Sequence, residues 1–352
     1  MNHIRPRVLL IGPASVHLKN YLERLESMTE DICVVTSSEG GITKNHLSHV
    51  VDFSFRNPLN LISTPSRLRK IYLSFKPDIV HVHQLNSVTF YTILALSKFK
   101  APILATAWGS DVLVNPNRSW LWKKVLSFNL SKATAFTSDA KFMADRMREI
   151  SPKKDLDITV VNFGVSDEDL NLRKEPIVYS NRLHEPLYRI DRIIKAFKKF
   201  RETEGGQHWK LAIAATGSET ENLKNLVTDL GISDAVIFLG WLEKKDNMKW
   251  YARSKVWVSI PKSDATAISL LEAMHHGCLP VLINLPVSHE WVQHGENGLI
   301  VDDVEGPFLN LISNFDFGDV QSINQSIIKK EATYEVCRRR FLNLYNRLIA
   351  AD

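Results

Sequence analysis

Asp264 and Glu272 are the two carboxylates whose spacing most suggests chemistry in this sequence. They follow an apolar run at residues 256–260 and lie in a stretch of helical periodicity that Gly277 ends. A helix that begins where a strand ends directs free backbone N–H groups and a positive dipole end forwards, which suits a phosphate. The alternative is an ordinary strand–helix turn, in which Asp264 caps the helix and Glu272 is a solvated carboxylate.

Arg182 ends another apolar run near the middle of the chain. A guanidinium can bind two phosphate oxygens at once, so an arginine at the carboxyl end of a strand is suited to hold a diphosphate. Turns after the neighbouring predicted strands could contact a nucleotide through their backbone, or could be simple tight turns. These turns are Ala215-Thr216-Gly217-Ser218 and Leu239-Gly240-Trp241.

Polar side chains also end predicted strands in the first half of the chain. His81 and His83 share one face of a strand by the two-residue period. One buried, hydrogen-bonded imidazole is favoured over a metal site there, because no third ligand follows. Asp111 is placed either to meet sugar hydroxyls or to cap the next helix. The other candidates for a ligand-binding cleft are Ser15, His17, Trp108 and Gly109.

A basic aromatic patch follows in the same half of the chain. It consists of Trp120, Trp122, Lys123 and Lys124. Such a patch could rest on an anionic membrane, as interfacial helices do. Alternatively, the tryptophans belong to the core and the lysines form a solvated face.

Strand-like apolar runs alternate with helical patterns throughout, which indicates βαβ units and largely parallel sheets. The predicted fold class is α/β: two doubly wound, Rossmann-like domains that face a cleft, and a long C-terminal helix. We expect an acceptor-binding domain over 1–165, a linker over 166–176 and a second domain over 177–325. A helix over 326–352 is predicted to pack back toward the first domain. The acidic D-x-D of Asp167 and Asp169 is interpreted as part of the linker rather than a metal site.

The 352-residue chain is 44% hydrophobic and 24% charged, which is typical of a soluble globular protein. Its early apolar runs have strand length, so no signal peptide or transmembrane helix is expected. Three widely spaced cysteines match no metal or redox motif and indicate a reducing, cytoplasmic compartment. A net charge of +5 is compatible with anionic substrates or lipid, and no nucleic-acid motif accompanies it.

Taken together, these motifs resemble the GT-B fold glycosyltransferases of family 4, which are retaining enzymes that use nucleotide-sugar donors. The similarity extends over nearly the whole chain with consistent spacing, and Gly277 and Pro280 complete its main motif. The matching segments are Pro77-Asp78-Ile79-Val80-His81-Val82-His83, Gly109-Ser110-Asp111, Asn162-Phe163-Gly164-Val165, Arg182-Leu183, Phe238-Leu239-Gly240, Leu271-Glu272-Ala273-Met274 and Asn297-Gly298.

The resemblance assigns roles to particular residues. Asp264 and Glu272 occupy the two acidic positions of the family's E-x7-E element, so Asp264 would contact donor-sugar hydroxyls and Glu272 the ribose. Arg182 matches the phosphate-binding arginine of the family. The resemblance also implies that the amides of Ala267 and Ile268 meet the distal phosphate. The remaining predicted donor-binding residues are Arg189, Gly217, Gly240, Trp241 and Thr266.

The chain departs from the family pattern at several of these positions. Asp264 is one methylene shorter than the family glutamate, and Ala265 replaces the glycine that follows it. Tyr188 replaces a family lysine, which weakens the phosphate clamp unless Arg189 substitutes. Ala215 occupies a glycine position, and Trp108 occupies the position of a histidine that lies near the reacting carbon in the family.

The implied function is transfer of a sugar from a UDP- or GDP-sugar to a saccharide acceptor, with a lipid-linked one favoured, in cell-surface polysaccharide or lipopolysaccharide synthesis. Asp264 and Asp111 are the predicted catalytic residues. Neither a metal nor a cofactor is expected. Peripheral contact with an anionic membrane is compatible with this function. The alternatives are a nucleotide-sugar 2-epimerase of similar fold and a non-catalytic protein that binds sugar nucleotides.

Overall fold

The computed structural model describes residues 5–39, 46–168, 170 and 172–351. Contacts divide the chain into two compact units. The first unit comprises Met1–Phe163 together with Tyr334–Asp352, and the second comprises Gly164–Thr333. Among the described residues, no helix combines the length and the apolar character that crossing a bilayer would require.

The first unit contains a parallel sheet of seven strands in the order β3-β2-β1-β4-β5-β6-β7. The strands of its centre are buried on both faces, which explains their nearly continuous apolar sequences. The strand bounds are β1 Arg7–Ile11, β2 Asp31–Thr36, β3 Leu47–Val50, β4 Ile79–His83, β5 Ile103–Thr106, β6 Ala135–Ser138 and β7 Ile158–Val160. The sequence patterns missed β3, an edge strand with little apolar content and no fully buried residue.

Helices cover the first sheet and connect its strands. Their bounds are α1 Val16–Leu25, α2 Asn60–Phe75, α3 Ser87–Leu96, α4 Asn115–Arg118, α5 Trp120–Lys132, α6 Lys141–Ile150 and α13 Tyr334–Ala350. A single π-helical turn, Ser110–Val114, joins β5 to α4. The sequence patterns predicted neither the π-turn nor α4.

The second unit contains a parallel sheet of six strands in the order β10-β9-β8-β11-β12-β13. Its strands are β8 Glu175–Ser180, β9 Lys210–Ala214, β10 Val236–Gly240, β11 Ser254–Ser259, β12 Leu279–Ile283 and β13 Leu299–Val301. Its helices are α7 Ile190–Arg201, α8 Thr220–Asp229, α9 Lys244–Arg253, α10 Ile268–His275, α11 Ser288–Trp291 and α12 Val320–Glu331, with a 3-10 segment at Phe308–Asn314. This parallel sheet with its helices confirms the α/β fold predicted for the second half of the chain.

The carboxyl-terminal part of the chain differs from the prediction. Instead of one helix over 326–352, α12 ends at Glu331 and α13 begins at Tyr334. The helix is interrupted because α12 packs in the second unit, where Ile328 is buried, while α13 packs in the first. The apolar face of α13 lies in the core formed around β1 and α1.

The predicted linker also has structure of its own. Contacts assign it to the second unit, and its last residues, Glu175 and Pro176, begin β8. Backbone hydrogen bonding ties Val165 to Ala332 beside it. Asp169 of the D-x-D sequence lies outside the described residues. Among those that are described, no three histidine, cysteine or acidic side chains are grouped as a metal site would require.

Candidate functional site

Arg182 is the centre of a polar cluster at the carboxyl edge of the second sheet, just after β8. One guanidinium nitrogen donates to the Ser269 hydroxyl at 3.0 Å, and the other donates to Asp264 Oδ2 at 2.8 Å. The Tyr188 ring covers the guanidinium, with its centroid 4.5 Å from Cζ. Arg182 is thus held in one orientation by an anion, a hydroxyl and an aromatic face.

Asp264 does not cap the helix that follows it, which corrects the alternative of an ordinary turn. Its carboxylate accepts from Arg182 and from the amide of Ala265 at 3.1 Å. Burial raises the pKa of Asp264 above its ordinary value, while Arg182 and the Ala265 amide oppose that rise. The side chain keeps 23% exposure, which leaves the carboxylate open to an approaching hydroxyl.

Helix α10 begins beside this pair without a side-chain cap. Ala267 occupies the N-cap position and makes no capping hydrogen bond through its side chain. The backbone N–H groups of Ala267 and Ile268 have no acceptor among the described residues. Thr266 is buried and accepts from the Trp291 indole at 3.2 Å. The start of α10 therefore offers two backbone donors and a positive dipole end beside Arg182.

Glu272 lies on α10 against two buried tyrosines that the sequence patterns did not single out. It is hydrogen-bonded to the Tyr251 hydroxyl, and burial followed by the Glu272 charge raises the pKa of that tyrosine well above its ordinary value. Asn181 donates to the same hydroxyl at 2.7 Å and accepts from the Trp257 indole at 3.0 Å. Glu272 is thus only partly exposed and is held by a neighbour from α9.

The other predicted donor-binding residues lie on the loops around this edge of the sheet. Arg189 has a left-handed backbone, with φ of 54°, and lines a cavity of about 410 Å³. Gly217 passes so close to the His184 carbonyl that a Cβ would lie 2.5 Å from its oxygen. Gly240 ends β10, and Trp241, 62% exposed, follows it.

The acceptor residues predicted in the first unit lie around a buried histidine. His83 Nδ1 accepts from the Trp108 indole N–H at 3.1 Å. The His17 ring lies 5.3 Å from the Trp108 ring, and Ser15 caps α1 by accepting from the Leu18 amide. The structure therefore brings His17, His83 and Trp108 together.

Asp111, which was predicted as a catalytic residue, is almost completely buried in the first unit. It is 3% exposed and accepts from the amides of Leu85 at 2.7 Å and Trp108 at 3.0 Å. Burial raises its pKa, and these backbone donors oppose the rise. Asp111 thus holds the loops after β4 and β5, beside Gly109, whose φ of 100° favours glycine.

His81 is also buried in the first unit, where it joins a hydrogen-bonded network. Its Nδ1 lies 2.6 Å from the Tyr345 hydroxyl of α13, and its Nε2 lies 2.6 Å from the Thr106 hydroxyl. Tyr21 extends the network through its own hydroxyl, 2.8 Å from that of Tyr345. The buried interpretation of this histidine is confirmed.

Residues 7–140 match the family described as "Glycosyl transferase 4-like", and residues 165–305 match "Glycosyl transferases group 1". An N-acetyl-alpha-D-glucosaminyl L-malate synthase from Bacillus anthracis is 24% identical over 267 residues, which are 70% of this chain and 67% of that protein. A lipopolysaccharide core biosynthesis glycosyltransferase, LpsE, from Rhizobium meliloti is 35% identical over 99 residues, 27% of this chain and 28% of that protein.

Among solved structures, HepE from Anabaena in complex with UDP superimposes with a TM-score of 0.80 at 14% identity. The match covers 97% of this chain and all of that one. Two parallel-sheet α/β units with this similarity define a GT-B glycosyltransferase fold. The chain belongs to the glycosyl transferases of group 1, within family 4, and the prediction of an α/β glycosyltransferase is confirmed.

Proposed function

We propose that the chain is a retaining glycosyltransferase that moves a sugar from a UDP- or GDP-sugar to a lipid-linked saccharide in cell-surface polysaccharide or lipopolysaccharide synthesis. The observation that carries the proposal is the Arg182–Asp264 pair beside the uncapped start of α10. The similarity to LpsE and to the UDP-bound HepE supports the substrate classes. Three free, buried cysteines agree with a cytoplasmic site of action.

The donor would bind through its diphosphate and its ribose. The diphosphate would take Arg182 as a partner, together with the amides of Ala267 and Ile268, which have a free donor each. Arg189 would supply the second positive charge for the diphosphate, because Tyr188 replaces the family lysine and carries no such charge. Glu272 would accept from ribose hydroxyls while Tyr251 keeps its carboxylate in place. Gly217, Gly240 and Trp241 would line the nucleotide through their loops.

Asp264, Arg182 and the amides at the start of α10 would act on the reacting sugar and its leaving group. Asp264 would orient the donor sugar by accepting from its hydroxyls. As the bond between the anomeric carbon and the phosphate oxygen breaks, Arg182 and the α10 amides would stabilise the charge that the leaving diphosphate gains. The acceptor oxygen would bond to the anomeric carbon on the same face, and its proton would pass to the departing phosphate oxygen. This series of steps would retain the anomeric configuration without a protein nucleophile.

The first unit would bind the acceptor near Ser15, His17, His83 and Trp108. The indole of Trp108 donates to His83, so both side chains are fixed before an acceptor arrives. Gly109 would allow close approach to the backbone. Asp111, which is buried, is proposed as a positioning residue that keeps Trp108 in place.

The test is a screen of UDP- and GDP-sugars by thermal shift, followed by product analysis with membrane lipid extracts. We expect one nucleotide class to raise the melting temperature, and a sugar to appear on an acceptor. Glu272→Ala should lose nucleotide affinity, whereas Glu221→Ala, an exposed glutamate of α8, should bind as wild type does. The absence of a shift with every nucleotide sugar would refute donor binding. Epimerisation or hydrolysis of the donor without an acceptor would point to the epimerase.

A further inference from the structure

Helices α2 and α5 of the first unit both pack on α3, and each exposes large apolar side chains at its start. Ile62 on α2 is 78% exposed and Trp120 on α5 is 71% exposed. Phe55, which precedes α2, connects the two starts: its ring is 5.6 Å from that of Trp122 on α5 and 5.4 Å from that of Phe90 on α3. The five exposed apolar residues of this face are Leu59, Leu61, Ile62, Trp120 and Leu121. Apolar side chains grouped in this way mark an interaction surface.

The charge around this face has one sign. Residues 53–138 contain eleven lysines and arginines but only two carboxylates, a net charge of +9 in a chain whose total is +5. Of the two carboxylates, Asp111 is buried and Asp78 accepts from the amide of Arg7. Helices α2, α3, α4 and α5 contain no acidic residue. The cations nearest to the apolar residues in sequence are Arg56, Arg118, Lys123 and Lys124.

These four cations are available to an external anion. Among the described residues, none of the four pairs with a carboxylate. Lys124 is instead placed over the Trp120 ring, 5.0 Å from its centroid, so a cation and an exposed indole share one site. Arginine and lysine beside tryptophan and leucine match a bilayer interface, where phosphate groups lie above acyl chains.

The position of this face in the fold connects it with the acceptor residues. Helix α2 leads into β4 and α5 leads into β6, so both helices run antiparallel to the strands. Their first turns therefore lie at the carboxyl edge of the first sheet. His83 ends β4, and Trp108 follows β5 at the same edge. A surface docked on these first turns would lie on the side from which a lipid-linked acceptor could enter.

We propose that this α2–α5 face, formed by the five apolar residues and the four cations, docks the protein on an anionic phospholipid bilayer. The apolar side chains enter the interface and the cations bind headgroup phosphates. A second copy of the chain is a poorer occupant, because two surfaces of the same positive charge repel each other. The reason for docking rests on the proposed function, since a lipid-linked acceptor resides in the bilayer.

The experiment is co-sedimentation of the full chain with vesicles of phosphatidylcholine alone or mixed with phosphatidylglycerol. We expect binding to the mixed vesicles that weakens with added salt. Two double variants should each lower vesicle affinity at least tenfold. One combines Ile62→Ser with Trp120→Ser, and the other combines Lys123→Glu with Lys124→Glu. Two matched controls on the second unit should bind as wild type does: Leu311→Ser, an exposed leucine, and Lys329→Glu with Lys330→Glu, an exposed lysine pair.

Several outcomes would overturn the proposal. Failure to bind the mixed vesicles, equal binding to neutral vesicles, or equal losses in the control variants would each do so. Light scattering in the same buffers would detect a dimer that the Ile62 and Trp120 variants break, and such a dimer without vesicle binding would assign the face to self-association. Thermal shift with nucleotide sugars on the same samples reports donor binding separately, so failure of the docking proposal is distinguishable from failure of the proposed function.

Discussion

The ion pair of Arg182 and Asp264 places the group proposed to bind phosphate and the group proposed to bind the sugar in direct contact. Under the proposed function, the donor diphosphate competes with Asp264 for the guanidinium. The low exposure of Arg182, 11%, makes this competition matter, because the guanidinium has few water contacts to exchange. In the proposed function, the carboxylate would therefore tune donor affinity as well as orient the sugar.

The substitution Asp264→Asn separates these two effects. It keeps the size of the side chain and removes its charge, so Arg182 loses its anionic partner and nucleoside diphosphate should bind several-fold more tightly. Turnover should fall about tenfold, because a hydrogen bond from a sugar hydroxyl to a neutral amide is weaker than one to a carboxylate. Calorimetry with UDP and GDP and a steady-state assay measure the two quantities. Asp157→Asn, which breaks the ion pair with Arg347 in the first unit, is the control. Unchanged turnover in Asp264→Asn would contradict the role of the carboxylate.

Ala215 has a backbone conformation that is unfavourable for a residue with a side chain. Its φ of 76° lies in the left-handed region, where a Cβ costs about 1–2 kcal/mol. The resemblance to family 4 predicts a glycine position there, and the positive φ agrees with it. The Ala215 amide donates to the Gly240 carbonyl at 2.7 Å, which holds the backbone in this conformation.

We therefore expect Ala215→Gly to raise the free energy of unfolding by up to about 1 kcal/mol, the relief of strain exceeding the added freedom of the unfolded chain. Urea denaturation measures this change. Ala196→Gly, within α7, should lower stability by about 1 kcal/mol or more, because alanine is there in an ordinary helix. A loss of stability in both variants would show that the left-handed backbone at residue 215 is not strained.

At the scale of elements, β4 illustrates what periodicity can predict. The two-residue period places His81 and His83 on one face, and their ring centroids are 4.5 Å apart. Burial, followed by the charge of His17, lowers the pKa of His83 to about 3. Burial, followed by the charge of His83, lowers the pKa of His81 well below its ordinary value of 6.5. Both imidazoles are therefore neutral in the folded protein at neutral pH.

This pair should make the first unit sensitive to acid. Below pH 6.5 the unfolded chain binds protons that the folded chain does not, so the free energy of unfolding falls as the pH falls toward 3. Between pH 7 and pH 5 the loss should be about 2 kcal/mol for His83, and His81 should add to it in the same direction. Urea denaturation at the two pH values measures it. His83→Gln should flatten the dependence, while His208→Gln, at an exposed position of the second unit, should retain it. An identical slope in all three proteins would exclude the histidine pair as the cause.

The sequence patterns predicted strands with apolar runs well, because a parallel sheet covered on both faces requires such runs. They missed β3, whose edge position needs little apolar content, and the π-turn at 110–114, which no periodicity encodes. The alternative in which Asp264 caps the helix was wrong, because the helix begins later, at Ala267, and the carboxylate binds Arg182, 82 residues away in the chain. The partnership of Tyr251 with Glu272 likewise depends on long-range packing that spacing along the chain cannot show.

At the scale of the whole molecule, the two compact units are not simply consecutive segments of the chain. The first unit is closed by α13, which follows the entire second unit in sequence. A helical pattern predicts α13, but the break at residues 332–333 depends on which core each helix joins. Five side chains of α13 are buried in the first core: Cys337, Phe341, Leu344, Tyr345 and Leu348.

Removal of residues 334–352 tests this division. Burial of five such side chains contributes roughly 7–15 kcal/mol, at about 1.5–3 kcal/mol each, which is comparable to the whole stability of a domain. The first unit should therefore lose its cooperative unfolding transition, and His81 its Tyr345 partner. The second unit retains its full sheet and should still bind nucleoside diphosphate with similar affinity.

Limited proteolysis and calorimetric unfolding of the truncated chain, with and without UDP or GDP, distinguish the two units. The full-length variant Phe341→Ala with Leu344→Ala is the matched comparison, because it weakens the same core without shortening the chain. It should lower the transition of the first unit and leave that of the second unchanged. If the truncated chain kept both transitions, α13 would not be part of the first core in solution. If it lost nucleotide binding while the second unit stayed folded, the donor site would require residues outside that unit.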